Sequence, residues 1–142
     1  MMLVKSNRIY FICIQNRCRS QIAEAWAKHY ATDDLVIESA GIEHADIHPH
    51  TIQVMEEKGI AMSGHVSKTL DLKKYMSSEY VVKMCEQVAE RCPVVPFGVK
   101  SLAWDIKDPL PTGNIEDVRV ARDAIEIKVI ALLKEMGKFK QV

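Results

Sequence analysis

Apolar and polar positions change period along this chain, and each change marks an element. Arg8 to Ile14 (RIYFICI) is a short apolar run rich in β-formers, the pattern of a buried strand. Beyond it Ile22, Ala23, Trp26, Ala27 and Tyr30 fall on one helical face. Leu35 to Ala40 (LVIESA) reads as a second strand closed by Gly41. Residues 49 to 58 predict a helix, with Pro49 near its start and Gly59 after its end. A short helix is predicted from Lys68 to Tyr75, and a third strand from Glu79 to Met84, leading into Cys85. Glu86 to Arg91 has room for a turn or two of helix before Pro93, and Ser101 to Ile106 is a weaker fourth strand. In the last helix Val118, Ala121, Ile125, Val129, Leu132 and Met136 step by three or four. Asn114 is its expected N-cap and Gly137 its expected stop.

This alternation predicts an α/β fold: one three-layer domain over residues 1–142, with a four-stranded parallel sheet flanked by helices. No repeat, linker or low-complexity run divides it. In such sheets ligands bind beyond the carboxyl ends of the strands. Cys13 and Cys85 both fall at that end of their strands, the first sign that they share a site.

Composition changes this picture little. Apolar residues are 48% and charged residues 27% of the 142, which is ordinary for a globular chain. Lys plus Arg and Asp plus Glu are 19 each, so no basic excess points to nucleic acid, although a local anion site is not excluded. No stretch approaches the roughly 20 apolar residues of a membrane span. The opening MMLVKSNRIYFICI lacks the shape of a signal peptide and leads straight into a core strand, so a cytoplasmic protein, monomeric by default, is expected. The four cysteines should then be mostly reduced, which favours catalytic, redox or metal-binding roles over structural bridges.

The segment Cys13-Ile14-Gln15-Asn16-Arg17-Cys18-Arg19-Ser20 reads C-x5-R-S between a strand and a helix. A loop of that length at a helix N-terminus can turn successive N–H groups inward and cradle an anion. Arg19 can fold back and grip two oxygens of a tetrahedral oxyanion, with Cys13 facing the central atom. The same field favours a thiolate over a thiol. Ser20 is placed to donate a hydrogen bond to that thiolate. Asn16 suits a left-handed position that holds the loop's shape. Gln15, Arg17 and Cys18 complete the candidate oxyanion-binding loop, with Arg17 expected to point to solvent.

Cys13 to Trp26, CIQNRCRSQIAEAW, resembles the signature of arsenate reductases related to the low-molecular-weight tyrosine phosphatases. The resemblance runs along nearly the whole chain. Ser39-Ala40-Gly41, Cys85, Cys92-Pro93 and Asp108-Pro109 follow in the family's order. Gln15 stands where the family commonly has Gly, and Arg17 where it often has a small residue. The resemblance implies the phosphotyrosine protein phosphatase I type of fold. It also implies a three-thiol relay: Cys13 attacks arsenate, Cys85 then Cys92 resolve the adduct, and thioredoxin regenerates the pair. No cofactor or metal is needed for this. Cys18 is not a relay cysteine in that family. Six residues separate Cys85 from Cys92, too many for the usual zinc knuckle. They suit a short helix that must unwind, since residues seven apart on a helix lie about 10 Å apart whereas bonding needs Cα atoms within about 7 Å.

Asp108 is the candidate general acid, with Asp105 ranked below it. Some relatives hold potassium through an Asn, a Glu, a Ser and an Asp. Asn16, Glu24 and Ser39 match the first three, while Lys68 takes the Asp position, so its ammonium is a candidate replacement for the ion. His44, His48, His50 and His65 are expected in polar loops. Two other functions remain open. A tyrosine phosphatase would share Cys13, Arg19 and Asp108, but Gln21 replaces the usual Pro and Leu110 the usual aromatic after Asp-Pro. A non-enzymatic arsenite-sensing module would need neither Arg19 nor an acid.

Overall fold

A computed structural model describes residues 6–43 and 45–140; His44 lies outside the described residues. Four parallel strands form the sheet in the order β2-β1-β3-β4: β1 (Arg8–Cys13), β2 (Val36–Gly41), β3 (Tyr80–Lys83) and β4 (Lys100–Ala103). The central strand β1 is flanked on both edges and covered on both faces, which is why its sequence is an unbroken apolar run.

The helices divide between the two faces. α1 (Arg19–Tyr30), α2 (Pro49–Glu56) and α5 (Ile115–Glu135) pack on the face that carries Ile9, Phe11 and Val82. Ile22, Trp26, Ile125, Val129 and Leu133 close this layer, each worth about 1.5–3 kcal/mol of apolar burial. α3 (Leu72–Ser77) and α4 (Glu86–Arg91) cover the opposite face, where Tyr10, Ile12, Val81, Tyr75 and Val88 meet. Asn114 caps α5 as expected, its Oδ1 accepting from Glu116 N at 2.9 Å, and Gly137 follows with φ 71°.

Two elements differ from expectation. The segment from Lys68 is not helical, because it runs beside the end of β2: Gly41 N donates to Lys68 O, and Leu70 N to Gly41 O, each at 2.8 Å. The helix starts only at Leu72, where Asp71 Oδ1 accepts from Lys74 N. The fourth strand ends at Ala103, earlier than Ile106. The chain beyond still donates to the β3 segment, Trp104 N to Lys83 O and Ile106 N to Met84 O, while Trp104 and Ile106 turn into the core.

After β2 the chain crosses over β1 to form β3, so the crevice outside the ends of β1 and β3 is a topological switch point. Cys13 ends one of these strands, and Cys85 follows the other by two residues.

Candidate active site

The loop from Cys13 to Ser20 closes on its own sulfur. Asn16 N donates to Cys13 Sγ at 3.1 Å, and Ser20 Oγ lies 2.7 Å from the same sulfur. Asn16 has φ 53°, the left-handed position that its residue type tolerates. No side chain among the described residues caps α1, so its first N–H groups face the loop without a competing acceptor. Gly41 permits the closure: a Cβ there would meet Glu43 O at 2.5 Å and Asn16 N at 2.7 Å.

The loop forms one wall of a cavity of about 730 Å³. Cys13, Gln15, Arg17 and Arg19 line it from the loop, Cys85 from the end of β3, and Asp105 and Asp108 from the segment after β4. Arg19 is buried and donates to Ile106 O at 2.7 Å, which ties its guanidinium to the segment after β4 that also lines the cavity. Asp108 is half-buried, and its Oδ1 accepts from Leu110 N at 3.1 Å in an Asp-turn. Arg17 is half-buried rather than pointing freely to solvent. Its Nε donates to Asp46 O at 3.2 Å, and its carbonyl oxygen accepts from Thr51 Oγ1 at 3.0 Å and from His48 N at 3.1 Å.

Behind the loop lies a polar layer. Asn16 Nδ2 donates to Ser20 Oγ at 2.8 Å and to Ser39 Oγ at 2.9 Å. Ser39 in turn donates to Glu24, a buried carboxylate. Lys28 Nζ lies 2.6 Å from Glu24 Oε2, and Lys68 Nζ 3.7 Å from Glu24 Oε1. Lys68 N also donates to Asn16 Oδ1 at 2.8 Å. The four residues matched to a cation site are thus in one cluster, with two ammonium groups already beside its only carboxylate.

Two members of this layer were not anticipated. Gln21 is fully buried, and its Nε2 faces Asn16 Oδ1 at 2.9 Å, Asn16 O at 3.3 Å and Val66 O at 2.9 Å. His65 Nδ1 lies 3.0 Å from Gln21 Oε1 and 3.7 Å from Glu24 Oε2, so it belongs to this layer although it is in a loop. The signal for Gln21 was a polar residue next to the inward face of a predicted helix. His48, expected merely in a polar loop, caps α2 by accepting from His50 N at 3.0 Å. Burial pulls its pKa down, which keeps Nδ1 free to accept.

All four cysteines are free. Cys85 is buried at the N-cap of α4 and Cys92 half-buried at its C-cap, with the six residues of the helix between them. Cys18 points into the core beside Thr51, and burial pushes its thiol up to about 12. It also lines the cavity, with little access to the thiolate form.

Residues 8–142 match the family described as low molecular weight phosphotyrosine protein phosphatase. The arsenate reductase of Staphylococcus aureus strain Newman is 42% identical over 121 residues, covering 85% of this chain and 92% of its own. Two solved structures are each 28% identical to this chain. The Corynebacterium glutamicum thioredoxin-dependent arsenate reductase superposes with a TM-score of 0.79 over 96% of this chain, which spans 64% of that protein's length. An arginine phosphatase from Geobacillus stearothermophilus gives a TM-score of 0.76 and 92% coverage of both chains.

Proposed function

The chain belongs to the low molecular weight phosphotyrosine protein phosphatase family, and from that premise we propose that it reduces arsenate to arsenite through Cys13, Cys85 and Cys92, with thioredoxin as the electron donor. The observation that carries this reading is the shared cavity of Cys13, Arg19, Cys85 and Asp108, with Cys92 one short helix away from Cys85.

Arsenate enters the cradle and its oxygens take the N–H groups of the loop and the guanidinium of Arg19. Cys13 thiolate attacks arsenic, and an oxygen protonated by Asp108 departs as water. Cys85 attacks the sulfur of the adduct. The sulfur–arsenic bond breaks, arsenite leaves with its electron pair, and a Cys13–Cys85 disulfide forms. Cys92 attacks Cys85 and frees Cys13. Unwinding of α4 brings Cys85 and Cys92 within bonding reach and exposes their disulfide to thioredoxin, a partner in keeping with a cytoplasmic location. Lys68, with Lys28, balances Glu24 in place of a metal ion and so steadies Asn16. Activity should be flat when potassium replaces sodium at constant ionic strength; a sharp rise would overturn that role.

A second reading, a phosphatase, is favoured by Cys13, Arg19 and Asp108 on one cavity and by the structural likeness to an arginine phosphatase. It leaves Cys85 and Cys92 without a task. A single turnover of fully reduced protein with arsenate and no external reductant separates the two. One arsenite per chain with a Cys85–Cys92 bond is expected. Four free thiols and no arsenite, with an aryl phosphate still hydrolysed, would establish the phosphatase. Cys13→Ser should abolish either activity, Cys85→Ser only the reductase.

A further inference from the structure

Lys83 is the last residue of β3 and is only 8% exposed. Strand alternation sends it to the same face as Val81, opposite Tyr80 and Val82. That face carries the apolar cluster of Tyr10, Ile12, Tyr75, Cys85 and Val88, against which Cys92 is packed. The Lys83 ammonium stands 5.8 Å from the centre of the Tyr75 ring. No ion pair among the described residues includes it. The side chain is thus mostly covered while its ammonium has no carboxylate partner among the described residues, so an anion forming nearby meets a positive charge that none of them neutralises.

The forming anion on this face is a thiolate. Tyr75 Oη donates to Pro93 O at 2.5 Å, which ties the ring beneath Lys83 to the residue after Cys92. Four groups surround the Cys92 sulfur electrostatically. Burial pushes its thiol up; Lys83 is the strongest influence pulling it down, ahead of Arg91, and Cys85 pushes it up slightly. Arg91 is half-exposed and reaches Glu43 at 3.9 Å, so its charge is shared with solvent and a carboxylate. Tyr75 is pushed up to about 12, chiefly by burial, and stays a neutral phenol.

We propose that Lys83 is a positioning residue for the resolving step: its ammonium favours Cys92 as the thiolate that attacks Cys85. The inference rests on the relay described above. Cys92 gives its proton to water, and its lone pair forms a bond to Cys85 Sγ. The Cys13–Cys85 bond breaks and Cys13 leaves with that electron pair, so no electrons enter or leave the protein. A neighbouring opposite charge moves a pKa by roughly one unit or more. Removing Lys83 should therefore cost about tenfold in thiolate at neutral pH. A more basic thiolate is more nucleophilic and recovers about threefold, leaving a net slowing of roughly threefold.

The experiment is a single turnover of reduced protein with equimolar arsenate, quenched by alkylation at successive times between about pH 6 and 10, with both disulfides quantified by peptide mass. Lys83→Met and Lys83→Gln are compared with wild type and Lys83→Arg, and circular dichroism selects the folded variants. In the neutral variants the Cys13–Cys85 species should persist at neutral pH, and the inflection of Cys85–Cys92 formation should move up by about one unit. Lys83→Arg should restore both. An unchanged inflection in a folded neutral variant overturns the role of Lys83 and leaves the relay standing. Absence of both disulfides in wild type overturns the relay, and the role of Lys83 with it.

Discussion

At the scale of single residues, Asn16 and Gly41 decide whether the anion loop exists. Asn16 uses its backbone N–H on the Cys13 sulfur and its amide on Ser20, Ser39 and Lys68, so one side chain joins the nucleophile to the polar layer. Gly41 works by having no side chain. The backbone of residues 15 and 16 passes so close that an added Cβ would lie 2.8 Å from Gln15 C and 2.7 Å from Asn16 N, and neither is a flexible tip that can swing away. Gly41→Ala should therefore push the loop outward and cost about 1–3 kcal/mol, as overpacking does. A thermal scan should show a midpoint lower by roughly 3–10 °C, and phosphate should protect the variant less than wild type. An unchanged midpoint with full protection would show that the loop does not need this close approach. The role of Asn16 was legible because its left-handed angle follows from its residue type. The partners of Gln21 and His65 were not, because their bonds cross 45 and 44 residues of chain to or from segments with no periodic pattern.

Among the elements, the contrast lies between α4 and α5. Seven residues of α5 are buried, its N-cap side chain is satisfied, and it packs on both α1 and α2. α4 has six residues, buries only Val88, and has no side-chain cap at Cys85. A helix held by so little opens locally at small free-energy cost, and the relay requires such opening between its two cysteines. Hydrogen exchange should therefore show weak protection across residues 86–91 and strong protection in the middle of α5. Equal protection in the two would argue against unwinding as the route to the Cys85–Cys92 bond. α5 was the clearest helix in the sequence, since its apolar period runs through five turns. α4 was legible only as a short stretch before Pro93. The misplaced start of α3 has the same origin: residues 68–70 spend their backbone groups on Gly41, a tertiary bond that no local pattern announces.

Taken as a whole, the molecule covers one face of its sheet with its longer helices, α1, α2 and α5, and the other with the six-residue helices α3 and α4. On the face of the longer helices Glu57, the C-cap of α2, reaches Arg119 and Arg122 of α5, bridging the two helices that pack there with α1. The hydrogen bonds of Arg119, followed by those of Arg122, hold the Glu57 carboxyl down at about 2, against an ordinary 4.5. A carboxyl with a depressed pKa in the folded state stabilises that state above its unfolded pKa, and the contribution disappears as pH falls through the folded value. The window is thus from about 4.5 down to about 2. Glu57→Gln keeps the shape but removes the titration. Wild type should melt higher than the variant at pH 6, and the gap should narrow steadily below pH 4.5 and close near pH 2. Glu57 lies partly in water, so the gap at pH 6 should also shrink when salt is raised. A gap that stayed constant with pH would mean that the clamp acts through shape rather than charge. None of its charges lies on the face of α4. Cys85–Cys92 formation, followed between about pH 6 and 10, should accordingly be indifferent to Glu57→Gln.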